Sequence, residues 1–192
     1  QFGDPADPVL LLVNGLGSQC INYHIDWCQK FAGRGLHVVR FDNRDVGLSA
    51  KFDTTPTGPF GEAYLVSDMV ADGIAVLDAI GVERAHVMGL SMGGMIVQRM
   101  AIERPDRLLS MTSVMSRTGE PGYGESTPEA LAALMAPEPT DRQTSIAGSV
   151  AGLRIWGSPA FADEARWRRE AERAFERCFH PSGPTRQARA IQ

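Results

Sequence analysis

The sequence predicts an α/β fold built on a parallel sheet. Three observations carry this. Short, nearly solid apolar runs recur at Val9 to Val13, His37 to Phe41, Ala85 to Met88 and Leu108 to Val114; stretches with helical apolar spacing lie between them; and the runs break into polar or glycine-containing turns. Strands that alternate with helices are joined by right-handed crossovers and run parallel, and helices covering both faces remove any polar alternation. All four runs therefore read as buried strands.

The first run is entered from Pro5 and Pro8 and ends in the tight loop Asn14-Gly15-Leu16-Gly17. A helix is expected over Asn22 to Ala32. The second run closes into the polar turn Asp42-Asn43-Arg44-Asp45-Val46-Gly47, and a Pro/Gly-rich loop spans Thr54 to Gly61. From Ser67 to Ile80 the residues Met69, Val70, Ile74, Leu77 and Ile80 recur at helical spacing, with Ser67 as a candidate cap and Gly81 as the stop. The third run leads into a largely apolar helix from Met92 to Arg104, terminated by Pro105. After about Ser116 the pattern changes to loops and helices without strands, at Thr127 to Met135, Asp141 to Leu153, Ala160 to Phe179 and Pro184 to Ile191.

At 192 residues and 43% hydrophobic content the chain can bury a substantial core. A net charge of -4 offers no basic face, so nucleic acid and anionic membrane are not expected partners. The arginines between Asp163 and Arg177 are matched five to five by acidic residues, and Trp167, Ala171, Ala174, Phe175 and Cys178 form one apolar stripe beside them. A solvated outer face over a packed inner one accounts for that segment. Cys20, Cys28 and Cys178 have neither zinc-site nor disulfide-framework spacing, so free thiols and a cytoplasmic location are expected. No run reaches the length of a membrane span. Residue 1 is Gln rather than Met, so the lack of a leader carries little weight.

The chemistry concentrates at Gly89-Leu90-Ser91-Met92-Gly93-Gly94. A strand that turns sharply into a helix at a serine leaves the hydroxyl at the tip of the turn, beside the first free N–H groups of the helix. Gly89 and Gly93 stand where a Cβ would collide as the backbone folds back. Ser91 is thus the candidate nucleophile. Attack on an ester carbonyl also needs two N–H donors for the developing oxyanion. The Met92 N–H follows from the turn itself, and the Leu16 N–H is the second candidate, from the loop after the first run. A dinucleotide-binding glycine loop is the rival reading of that loop, but Cys20 stands where its third glycine belongs.

The segments Val9 to Gly17, Asp42-Asn43-Arg44-Asp45-Val46-Gly47-Leu48-Ser49 and Gly89 to Gly94 together resemble the α/β-hydrolase superfamily over roughly residues 1 to 115, and within it the esterase-like branch that includes aclacinomycin methylesterase. Many members have His-Gly where this chain has Asn14-Gly15. The resemblance implies a partial hydrolase core over 1–115, with four strands from the middle of an eight-stranded sheet, and a helical cap over 116–192. Core strands before residue 1 and after residue 192 are then missing, which leaves both sides of the strand group without a neighbour and points to an internal fragment. The catalytic acid and histidine, which follow the serine in this fold, are expected beyond residue 192. His24, His37 and His86 read as structural, and His180 as a weak substitute base. Asp42 and Arg44 read as scaffolding that ties the turn through backbone hydrogen bonds.

The reading that follows is a serine hydrolase acting on a small to medium apolar carboxylic ester through an acyl-enzyme, with no cofactor or metal required. The chain as written is expected to turn over little substrate without its base. Perhydrolase, lipolytic and acyl-transfer chemistry on the same serine, and a non-catalytic ligand-binding protein of this fold, stay open.

Overall fold

The computed structural model describes residues 1–55, 57–58 and 61–191; Pro56, Pro59 and Phe60 of the Pro/Gly-rich loop, and Gln192, lie outside the described residues. Strands β1 (Val9–Val13), β2 (His37–Arg40), β3 (Ala85–Leu90) and β4 (Leu108–Val114) form one parallel sheet in the order β2-β1-β3-β4. Between them run α1 (Ile25–Ala32), α2 (Val66–Ala79) and α3 (Met92–Glu103), and α4 (Pro128–Leu134), α5 (Arg142–Trp156), α6 (Glu164–Arg177) and α7 (Ser182–Ala190) follow.

Strand alternation sends side chains to two different cores. Val9, Leu11 and Val13 meet Met69, Val70, Ile74 and Leu77 of α2 and Ile96, Val97 and Met100 of α3. Leu10 and Leu12 meet Cys28 and Tyr23 on the opposite face, beneath α1. Every residue of β1 is buried, and each such aliphatic side chain contributes about 1.5–3 kcal/mol. Because β1 connects toward β2 on one side and β3 toward β4 on the other, the connections that leave the paired carboxyl ends of β1 and β3 diverge. A crevice at such a switch point is where open α/β sheets bind ligands.

Three local expectations are corrected. The first helix starts at Ile25, capped by the His24 side chain, because Cys20–Asn22 form a separate 3-10 turn. Ser67 does not cap α2; the Leu65 N–H donates to the Asp68 carboxylate at 2.8 Å, so the cap is an aspartate reaching back from inside the first turn. Gly81 does stop α2, at φ 72°. A 3-10 turn at Pro159–Phe161 precedes α6, which delays that helix to Glu164.

The fourth strand is not the buried run its composition suggests. Only Leu108 is buried, and Leu109, Met111 and Val114 are 45%, 40% and 37% exposed, since β3 is its single neighbour in the sheet. The β2 side differs from the expected bare edge. Phe2 forms an antiparallel bridge with Val38, with N–H···O bonds of 3.0 and 2.8 Å, and Val38 and Val39 are buried.

Candidate active site

Residues 89 to 94 fold as a strand, a one-residue corner and a helix. Ser91 sits at φ 52°, ψ -119°, a conformation natural to glycine and strained for serine by about 1–3 kcal/mol. Its backbone is fully engaged. The Ser91 N–H donates to the Val114 carbonyl at 2.9 Å, and its own carbonyl accepts from Gly94 at 2.8 Å and Met95 at 3.3 Å. The side chain does not cap α3, and among the described residues Ser91 Oγ has no hydrogen-bond partner. The residue is half-buried, neither turned into the core nor standing free in solvent.

The tight approach explains the flanking glycines. A Cβ on Gly89 would stand 2.0 Å from the Gly93 carbonyl oxygen, and one on Gly93 would stand 2.2 Å from that of Val13. Neither neighbour is a side chain that can swing away. Helix α3 therefore starts directly over the end of β1, which brings the Asn14–Gly17 loop to Ser91. A Cβ on Gly15 would lie 3.3 Å from Ser91 Cβ and 3.9 Å from Oγ.

That loop is held from several sides. Asn43 Nδ2 donates to the buried Asn14 carbonyl at 2.9 Å. Ser18 N–H closes a turn onto the Gly15 carbonyl at 3.1 Å, and Gly17, at φ 66°, donates its N–H to Gln187 Oε1 at 2.8 Å. Between these bonds the Leu16 N–H has no acceptor among the described residues, and neither does the Met92 N–H at the start of α3. Free first-turn amides are ordinary at a helix start. Here both border Ser91 in the chain or in space.

The Asp42–Gly47 turn is built differently. Asp42 Oδ1 accepts from Cys20 N–H at 2.7 Å, and Oδ2 accepts from Leu48 N–H at 2.9 Å and Arg177 at 2.7 Å. Burial alone would raise its pKa, but the Arg177 guanidinium and the two amides outweigh it and hold the carboxyl below the usual aspartate value. Arg44 departs from its expected part. Its guanidinium ties the turn outward to α2, through Asp72 at 2.7 and 2.8 Å and the Asp68 carbonyl at 3.0 Å.

Asp45, absent from the expected site, is the most engaged carboxylate of the turn. It has no exposed surface, lies at φ 70°, and accepts from Phe52 N–H, Tyr64 Oη and both arms of Arg186 at 2.7 to 2.9 Å. Burial pushes its pKa up, and Arg186 with the other donors pulls it below the ordinary value. Gln187 is the other omission. It is fully buried and lies with Gly183 and Ala190 on the inward stripe of α7. A glutamine on a buried helical stripe was the available signal.

No histidine approaches Ser91. His24 caps α1, His37 bonds Gln1, His86 bonds Ser110, and His180 meets Arg186 and Asp53. A cleft of about 350 Å³ between α5 and α6, lined by Arg142, Gln143, Ile146, Ala147, Arg168 and Glu172, shares none of the Ser91 surroundings. No helix among the described residues is long and apolar enough to cross a membrane.

A parallel sheet, a switch-point crevice and a strained serine turn at its edge define a hydrolase-type scaffold. The family model for the alpha/beta hydrolase fold matches residues 8–175, and the chain belongs to that family. Rhodomycin D methylesterase of Streptomyces sp. strain C5 is 37% identical over 114 residues, covering 59% of this chain and 37% of that protein. A putative carbamate hydrolase of Caulobacter segnis is 36% identical over 100 residues, 52% of this chain and 34% of that one. The chain thus spans little more than a third of the length of the curated relatives it matches. A meta-cleavage product hydrolase of Pseudomonas fluorescens superposes with a TM-score of 0.72 at 20% identity, over 97% of this chain and 65% of the other. Both of these curated relatives are hydrolases by name.

Proposed function

We propose that the full-length protein hydrolyses carboxylic esters through an acyl-enzyme on Ser91. The observation that carries this is a half-buried serine in a strained corner whose Oγ has no partner among the described residues, facing the Gly15–Leu16 loop. In this reading Ser91 Oγ attacks the ester carbonyl, and the Leu16 and Met92 N–H groups receive the oxyanion. Each donor contributes about 3 kcal/mol to the transition state. The alcohol leaves, and water attacks the acyl-enzyme to release the acid and restore Ser91.

The base that takes the Ser91 proton lies outside the described residues, because all four histidines are engaged elsewhere. Residues 1–192 alone are accordingly expected to show little turnover, and α4 to α7 are read as part of a cap over the crevice. The methylesterase name of the 37% identical relative supports an ester of a small alcohol on a larger apolar acid. A fluorophosphonate probe tests the assignment on the full-length protein: Ser91 carries the label in the wild type, and Ser91→Ala abolishes it. Equal labelling of the two proteins removes Ser91 from the chemistry.

A further inference from the structure

The loop that offers the Leu16 N–H is held by a helix that reaches it from more than 160 residues along the chain. Gly183, Pro184 and Gln187 of α7 all rest on the turns at the carboxyl ends of β1 and β2. A Cβ on Gly183 would stand 2.1 Å from the Asp45 carbonyl oxygen, and one on Gly17 would stand 3.1 Å from the Pro184 ring. Gln187 spends its whole amide on backbone, with Oε1 accepting from Gly17 N–H at 2.8 Å and Nε2 donating to the Arg44 carbonyl at 2.8 Å. It is 0% exposed, and the Asp45–Arg186 ion pair beside it locks the same helix to the same turn.

Resting on the ester-hydrolase reading, we propose that Gln187 is a positioning residue for the oxyanion site: by capturing the Gly17 N–H it fixes the plane of the Leu16–Gly17 peptide and holds the whole turn, with the Gly15–Leu16 peptide that carries the Leu16 N–H, in its place beside Ser91. Glycine at position 17 leaves that plane free to rotate, since positive and negative φ cost it nearly the same. The bond from Ser18 N–H to the Gly15 carbonyl orients the Gly15–Leu16 peptide within the turn but does not fix the turn against the rest of the fold. Gln187 supplies the missing restraint. The same amide ties it to the Asp42–Gly47 turn, so the helical segment and the oxyanion loop move as one piece.

Two variants of the full-length enzyme test this with a short p-nitrophenyl ester. Gln187→Met keeps the volume and removes both bonds; kcat falls by up to about 10²-fold, as for a misplaced catalytic group, while KM stays within about twofold. Gln187→Glu gives a signature that packing alone does not produce. A neutral carboxylic acid reproduces both bonds, accepting from Gly17 and donating to Arg44, whereas a carboxylate repels the Arg44 carbonyl. Burial raises the pKa of such a group, so kcat of Gln187→Glu relative to wild type rises as pH falls from about 8 to about 5. Asp45, Tyr64, His180 and Arg186 are common to both proteins, so their own ionisation cancels in the ratio, and their charges shift only the pH at which the introduced carboxyl titrates.

Unchanged kcat in Gln187→Met, with Ser91 still labelled by fluorophosphonate, overturns the positioning role and leaves the hydrolase reading intact. A wild type whose Ser91 takes no label overturns both. Should Gln187→Met fail to fold, the pH ratio of Gln187→Glu decides alone, and a flat ratio overturns the proposal.

Discussion

Three non-glycine residues of this sheet stand at positive φ beyond a strand end, Asp45 at 70° after β2, Ser91 at 52° after β3 and Met115 at 39° after β4, and the two with polar side chains, Asp45 and Ser91, make the instructive comparison. Both store backbone strain. Every carboxylate oxygen of Asp45 is paired, with an amide, a phenol and a bidentate guanidinium. Ser91 has its backbone paired and its hydroxyl unpaired. The first arrangement repays strain with interactions and so describes structure. The second keeps strain with no return in folding, which is the pattern of a site shaped for another molecule.

The largest expected effect separates the two by activity. On the proposed mechanism, Ser91→Ala in the full-length protein lowers kcat by about 10⁴- to 10⁶-fold, because it removes the group assigned to form the covalent bond. The denaturation midpoint barely moves, since the deleted hydroxyl makes no bond in the fold. Steady-state kinetics and urea unfolding on the same preparation check both halves. A substantial stability loss would show that the hydroxyl is structural after all.

Asp45→Ala inverts that result. It leaves the Arg186 guanidinium with only the half-exposed Asp53 as a charge partner and Phe52 N–H and Tyr64 Oη unpaired; breaking one side of a buried ion pair costs about 3–5 kcal/mol, and the remaining Asp53 contact places this loss near the lower end. Activity per folded molecule falls far less than in Ser91→Ala, since Gln187 still bonds Gly17 and Arg44. Urea unfolding followed by tryptophan fluorescence reads the change. A loss under about 1 kcal/mol would mean that the turn does not depend on this carboxylate.

The contrast between these turns also marks what was legible in the sequence. The Gly-x-Ser-x-Gly corner is a local code: Gly89 and Gly93 meet backbone atoms brought close by the corner itself and by the neighbouring β1, so the spacing alone foretells the collision. β1 was legible because both of its faces are covered. β4 misled because its apolar composition resembles that of β1 while only Leu108 is buried, and coverage is a property of neighbours rather than of composition. Asp42 was recognised as scaffolding from its turn context. Asp45 and Gln187 were not: the stripe of α7 signalled a buried glutamine but not its use, since Arg186 lies 141 residues from Asp45 and Gly17 lies 170 from Gln187, and no local pattern reports a contact at that range.

Acid sharpens the comparison further. Asp42 and Asp45 both have pKa values below their ordinary 3.8, burial being outweighed by Arg177 and Arg186. A carboxylate with a lowered folded pKa stabilises the fold fully above its unfolded value, and the contribution disappears as pH falls through the folded value. Stability should therefore decline below about pH 4, and the decline should be shallower in Asp45→Ala, which has already lost one of the two contributions. Parallel pH profiles for the two proteins would assign the acid sensitivity to other groups.

The smallest effect concerns the strain itself. At φ 52°, ψ -119° glycine fits without penalty, so Ser91→Gly releases about 1–3 kcal/mol stored in the folded state. Glycine also loosens the unfolded chain, which returns about 0.5–1 kcal/mol. The net expectation is a gain of about 1 kcal/mol with activity abolished, read as a raised urea midpoint at unchanged m-value. The corresponding Asp45→Gly change relieves the same kind of backbone strain but loses the buried ion pair, and it should fall on the destabilised side by several kcal/mol. A corner that becomes more stable when its functional group is deleted, beside one that becomes less stable, would locate function in the first. If Ser91→Gly is neutral or destabilising, the strain at Ser91 is already offset within the fold, and the distinction between the two turns rests on the free hydroxyl alone.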